Sequence, residues 1–204
     1  MKRKKFVYIA LGDSTAEGYG ASKPERSYPA ILFDSLKEAF QHAHYHNFGK
    51  RDATVKDVLD HQLEKTITVD PSLVTISVGA NDISKWTKLG AFEKRLNILF
   101  YRLTKETSAK IVMNTIPDYS SLPAMPKAFR FFINIFIRRF NRKITKLADR
   151  YQVTLVDLYQ QSSSLVKQFP ESIFTDGLHP SDFGYELWAN TILSHIRPLI
   201  FSEG

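Results

Sequence analysis

The chain has 204 residues, 43% of them hydrophobic and 24% charged, with no cysteine. That composition suits a folded domain and excludes a disordered or collagen-like chain. The missing cysteines exclude disulfides, a thiolate nucleophile and Cys-ligated zinc or iron–sulfur sites. The net charge of +7 can mean an anionic partner, so where the charge sits matters. Lys2, Arg3, Lys4 and Lys5 open the chain, and residues 127–150 hold eight Lys/Arg against Asp149 alone. Those two stretches exceed the whole net charge, so the remaining chain is net acidic.

Apolar β-branched runs alternate with helical patterns. Phe6–Leu11 reads as a strand and Tyr28–Phe40 as a helix, with Ile31, Leu32, Leu36 and Phe40 on one side. His44–Phe48 is a short strand. Val55–Ile67 is a helix, Leu73–Val78 a buried strand, Phe92–Lys105 a helix and Lys110–Thr115 a strand. Lys127–Tyr151 is a long helix or broken pair, Thr154–Leu158 a strand, and a helix follows His179 to about Phe201. Five such alternations predict an α/β fold, a parallel sheet with helices on both faces, as one domain over residues 1–204. No run approaches the ~18 apolar residues of a membrane span. The apolar stretch after the basic start is shorter than the roughly 7–15 residues of a signal peptide. We expect a retained N-terminus and a cytoplasmic protein.

Ligands on such sheets bind beyond the carboxyl ends of the strands. Gly12-Asp13-Ser14 follows the first strand, Asn47 to Asp52 the second, and Gly79-Ala80-Asn81-Asp82 the third. Asp176 and His179 follow the fifth. A serine hydroxyl is a weak nucleophile until a base takes its proton, and His179 can serve as that base for Ser14. Asp176, three residues earlier, can fix the imidazole tautomer across a tight turn. The Asn81 side chain and the Ser14 backbone N–H can donate to a developing oxyanion. Asp13 and Asp82 are expected to brace the loops that carry Ser14 and Asn81.

Singly these pieces are weak signals; their order and placement is strong. From Tyr8-Ile9-Ala10-Leu11-Gly12-Asp13-Ser14, through Asn47-Phe48-Gly49 and Val78-Gly79-Ala80-Asn81-Asp82, to Asp176-Gly177-Leu178-His179-Pro180, the chain resembles an SGNH hydrolase of the GDSL esterase/lipase family. The resemblance implies a three-layer α/β/α sandwich with a five-stranded parallel, flavodoxin-like sheet. It also implies a Ser14–His179–Asp176 triad, an oxyanion hole including Asn81, and no cofactor. The family's second block usually reads Asn-x-Gly-x-x-Gly, its last glycine donating a backbone N–H; here Asp52 holds that position. Asp tolerates left-handed backbone better than most residues. Its carboxylate would oppose an oxyanion unless averted or paired, for instance with Lys50 or Arg51. Gly49 is a weaker substitute donor.

Alternating His42, His44 and His46 can share a strand face and bind zinc, but nothing around them supplies supporting partners, and no metal site is expected. Phe129, Phe132, Ile133, Phe136, Ile137, Phe140, Ile144 and Leu147 follow helical spacing and read as a core-facing stripe. Phe131 and Ile135 fall opposite, among arginines. They either lie under arginine stems or form an acyl-receiving or lipid-facing surface that touches anionic lipid. The reading that follows is a serine ester hydrolase acting on a small-molecule ester, lipid-like or simple, with thioesters included. The alternatives are a carbohydrate O-deacetylase and a non-catalytic basic module for membrane or nucleic acid. No nucleic-acid motif accompanies the basic segment, so nucleic acid is not expected. The sequence carries no signal of oligomeric state.

Overall fold

The central sheet is built from five parallel strands in the order β2-β1-β3-β4-β5. The computed structural model describes residues 3–201; Met1 and Lys2 of the basic start lie outside them. Strand β1 (Arg3–Gly12) leads into a short helix α1 (Ser14–Glu17), then α2 (Tyr28–Lys37) and β2 (Phe40–Asn47). Helices α3 (Val55–His61) and α4 (Leu63–Val69) precede β3 (Leu73–Ser77), followed by α5 (Ala80–Ser84) and α6 (Leu89–Glu106). Strand β4 (Lys110–Asn114), α7 (Arg130–Tyr151), β5 (Thr154–Val156), α8 (Leu158–Gln168) and α9 (Asp182–Phe201) complete the chain. This is the flavodoxin-like order, in which the connections run in opposite directions from β1 and β3 and open a crevice at their carboxyl ends.

Alternation along β1 explains the layers. Phe6, Tyr8 and Ala10 point to one face, where Leu32 and Leu36 of α2 meet Tyr185 and Ile192 of α9. Val7, Ile9 and Leu11 point to the other, where α3, α6 and α7 bring Val58, Leu96 and Ile144. Strand β3, covered on both faces, is buried throughout. Polar groups on its α2/α9 face are satisfied in place. The Tyr8 and Thr75 hydroxyls are 2.7 Å apart, and Ser77 Oγ meets the Tyr28 hydroxyl at 3.0 Å.

Several boundaries differ from the sequence reading, each for a visible reason. The helix expected over 55–67 breaks at Gln62, whose side chain is drawn inward to the end of β1. Strand β1 begins at Arg3, so much of the basic start is strand rather than tail. The strand expected to reach Leu158 ends at Val156, and helix α8 covers residues to which the sequence pattern assigns no element, since its Gln-Gln-Ser-Ser-Ser run shows little apolar periodicity. Asp157 starts it by accepting from the Gln160 N–H at 3.2 Å. Helix α9 begins at Asp182, leaving His179 on the loop before it. Among the described residues no helix is long and apolar enough to cross a membrane.

Candidate active site

The exit from β1 is shaped by close approach. Gly12 has φ 138°, and a Cβ there would lie 1.9 Å from the Ser77 carbonyl oxygen, so only glycine fits. The Asp13 N–H then donates to that carbonyl at 3.0 Å. Asp13 caps α1 by accepting from the Thr15 N–H at 3.0 Å and the Thr15 hydroxyl at 2.9 Å. Ser14 is thereby fixed as the first residue of α1. Burial pushes the Asp13 carboxyl up from 3.8 to about 6, against the lowering effect of those two bonds.

His179 reaches Ser14 from the loop before α9. Its Nε2 lies 2.9 Å from Ser14 Oγ, and its Nδ1 lies 2.6 Å from Asp176 Oδ2. The other Asp176 oxygen accepts from the N–H groups of Leu178 at 2.9 Å and His179 at 3.0 Å. The turn is made by Gly177, at φ 71°. Partial burial works against the ionised form of Asp176. The bonds from the His179 ring and the two N–H groups outweigh it, and its pKa lies below the ordinary value. An ionised carboxylate only accepts, so Nδ1 carries the proton and Nε2 is left to accept from the Ser14 hydroxyl. Tyr19 packs edge-on against the imidazole at 4.7 Å, and the Arg51 guanidinium covers the Tyr19 ring at 3.7 Å. Sequence reasoning missed Tyr19, although it stands inside the glycine-rich loop that carries Ser14.

Asn81, in the first turn of α5, lines the same cleft as Ser14. Its Nδ2 donates to the Ala53 carbonyl at 3.1 Å, leaving a second N–H on that amide. Nearby Asp82 is buried, and its Oδ2 accepts from the Val55 N–H at 2.9 Å, tying α5 to the start of α3. Asp52 takes φ 63°, the left-handed backbone of the glycine it replaces. It lines a neighbouring groove with Lys50, Lys65 and Lys85 rather than the Ser14 cleft. Of the two dispositions open to its carboxylate, averted or paired with Lys50 or Arg51, the pairing is not found. Lys50 and Arg51 turn to Glu17, at 4.0 and 3.9 Å, and Lys85 Nζ donates to the Asp52 carbonyl at 2.6 Å. Among the described residues, neither the Ser14 nor the Asp52 N–H is used in a hydrogen bond.

The cleft over Ser14 has a volume of about 240 Å³. Its walls are mainly apolar, with Ile83, Tyr119, Met125, Ile133, Ile137 and Leu178 facing Ser14, Asn81 and His179. Phe131 and Ile135 do not line it; they are 71% and 40% exposed on the outer side of α7. The stripe expected to face the core divides instead. Ile137, Phe140, Ile144 and Leu147 are buried, Ile133 and Ile137 reach the cleft, and Phe129 and Phe132 stand in solvent. His42, His44 and His46 lie exposed along one side of edge strand β2. No group of three or more potential metal ligands occurs among the described residues.

A family model for GDSL-like lipases and acylhydrolases matches residues 10–187. The chain belongs to the GDSL-like lipase/acylhydrolase family. A GDSL-like esterase of Mycobacterium tuberculosis is 28% identical over 201 residues, spanning 93% of this chain and 61% of that protein. The chain thus spans less than two thirds of that relative's length. An arylesterase of Vibrio mimicus is 29% identical over 175 residues, 84% of this chain and 78% of its own. The fold is also that of an acetylxylan esterase of Geobacillus stearothermophilus, with a TM-score of 0.76 at 21% identity over 96% of both chains. Within this GDSL-like family member, Gly12-Asp13-Ser14 and Asp176-x-x-His179 occupy the two ends of the matched region and meet in space.

Proposed function

We propose that this chain is a serine-dependent carboxylic ester hydrolase acting on small or lipid-like acyl esters. The observation that carries this reading is the continuous contact from Asp176 through His179 to Ser14 Oγ at the floor of an apolar cleft. In this reading Ser14 Oγ attacks the acyl carbonyl carbon as His179 Nε2 takes its proton. The carbonyl π bond becomes an oxyanion, held by the Ser14 N–H and an Asn81 amide N–H, with the Asp52 N–H as a third donor. The oxyanion collapses, the ester C–O bond breaks, and His179 gives its proton to the leaving alcohol. A water molecule, deprotonated by the same nitrogen, attacks the acyl carbon; the acyl–Oγ bond breaks, the acid leaves, and Ser14 Oγ takes the proton from His179. Asp176 stays ionised and stabilises the imidazolium at each passage.

The apolar walls support an acyl chain rather than a sugar as the group held in the cleft. Removal of acetyl from carbohydrate is the second reading, favoured by the fold shared with an acetylxylan esterase. A series of p-nitrophenyl esters of graded acyl length, run beside an acetylated xylan, separates the two. Ser14→Ala is expected to lose on the order of 10⁶ in kcat. A fluorophosphonate is expected to modify the Ser14 peptide and no other. Turnover by Ser14→Ala equal to wild type would remove the mechanism.

A further inference from the structure

Two groups of exposed aromatic residues stand on or beside the elements that line the cleft. Phe131 and Phe132, at the start of α7, are 71% and 60% exposed, with rings 5.8 Å apart and edge-on. Phe129 beside them is 60% exposed. Trp86 is 77% exposed, its ring edge-on to Phe136 of α7 at 6.0 Å. Each group adjoins an element that lines the cleft. Ile83 and Ser84 lie just before Trp86, while Ile133 and Ile137 follow the phenylalanines on α7. Single exposed apolar residues are ordinary, but four large exposed aromatics on or beside two cleft-lining elements are not. Trp86 also has φ 56°, a strained backbone for a bulky side chain. The chain therefore holds an indole out in water at a conformational cost.

Charge indicates what covers this surface. By helical period Phe131, Ile135, Arg138 and Arg142 fall on one outward side of α7. Arg138, Arg139 and Arg142 are exposed and form no ion pair among the described residues. Asp149 is the one acid within residues 127–150, and Lys85 and Lys88 flank Trp86. Aromatic rings projecting ahead of unpaired guanidinium groups form the pattern of an interfacial helix. Rings enter the acyl boundary while long cationic stems reach the phosphates.

We propose that this surface docks on an anionic phospholipid bilayer, with the Phe129–Phe132 turn and Trp86 inserted. The inference goes beyond the hydrolase reading and stands or falls without it.

The chain has two tryptophans, and the second, Trp188, is only 8% exposed, so a change of emission on binding reports Trp86. Titration with phosphatidylcholine vesicles containing phosphatidylglycerol is expected to shift that emission to the blue and sediment the protein. Pure phosphatidylcholine vesicles should bind at least tenfold more weakly, and salt should weaken the anionic binding. The triple variant R138S/R139S/R142S should lose on the order of a hundredfold in partitioning. F131S/F132S should lose at least tenfold. All five side chains are exposed, and an unchanged melting midpoint checks that both variants fold. No shift with anionic vesicles, equal binding to neutral ones, or undiminished binding by both folded variants would overturn the proposal. A wild-type protein that binds these vesicles but hydrolyses no ester upholds the surface and removes the hydrolase reading.

Discussion

The Gln62 side chain holds both backbone groups of Gly12, accepting from its N–H at 2.9 Å and donating to its carbonyl at 2.9 Å. The same carbonyl accepts from the Lys50 N–H at 3.0 Å. A side chain thus continues the bonding of β1 on the side where the strand departs from β2, two residues before Ser14. The break between α3 and α4 is the local consequence of turning Gln62 inward.

Gln62→Leu keeps volume but leaves both buried groups of Gly12 without their amide partner. The carbonyl keeps its bond from Lys50, so one buried N–H is left unsatisfied at about 1–3 kcal/mol, and the variant is expected to lose about 2 kcal/mol. For a chain of this size that is a fall of roughly 4–8 °C in Tm, readable by calorimetry. Turnover should fall as well, because Gly12 sets the position of Ser14. An unchanged Tm would show that water replaces the amide without penalty.

Asp13 gives a pH signature opposite to that of most structural carboxylates. Burial raises its pKa from 3.8 to about 6. Between those values the folded protein keeps a proton that the unfolded chain has released, so stability falls as pH rises through the interval and levels off above it. The loss is on the order of 3 kcal/mol. Asp13→Asn can keep accepting from Thr15 while removing the charge. Its Tm is expected to exceed wild type above about pH 6, with the difference closing below about pH 4. A constant difference across that range would show that Asp13 does not titrate there.

Much of this arrangement was legible in the sequence, and the reason is chemical. Ser14, Asn81, Asp176 and His179 sit at fixed offsets from strand ends, and a parallel α/β sheet brings strand ends together. Gly12 and Gly177 announced the turns by their residue type. What escaped depended on direction rather than pattern. The Gln62 break is invisible to hydrophobic periodicity, since Val55, Val58 and Leu63 keep helical spacing across it. Residues 129–147 of α7 show one stripe, but only its later part reaches the core. The earlier part lines a cleft or stands in water, because no neighbouring layer extends that far. Asp52 takes the left-handed backbone its residue type tolerates, and of the two dispositions open to its carboxylate, averted or paired with Lys50 or Arg51, the pairing is not found. Their preference for Glu17 is a tertiary fact.

In the hydrolase reading proposed above, the oxyanion donors divide by whether a side chain or the backbone does the work. Asn81→Ala removes a side-chain N–H facing the cleft and should lower kcat by about 10²–10³, with a smaller effect on KM. The Asp52 contribution is its N–H, so Asp52→Ala should keep kcat within several-fold. Asp52→Gly should also raise Tm slightly, because φ 63° is strained for aspartate and free for glycine. Steady-state kinetics and melting curves on the three variants test this together. A collapse of activity in both Asp52 variants with the fold intact would assign the carboxylate itself a role.

Ile133 and Ile137 are one helical turn apart on the cleft wall, where they can set how much acyl chain is accepted. Filling that wall with Ile133→Trp should leave acetyl esters nearly untouched and penalise longer ones progressively. Each buried CH₂ is worth about 0.8 kcal/mol, so every methylene denied burial should cost about fourfold in kcat/KM. Phe131→Ser, on the outer side of the same helix, should leave the profile for soluble monomeric esters unchanged. The measurement is kcat/KM against acyl length for wild type and both variants. A uniform loss across the series in Ile133→Trp would mean that the acyl chain lies elsewhere. A chain-length-dependent loss in Phe131→Ser on soluble esters would return that residue to the substrate site.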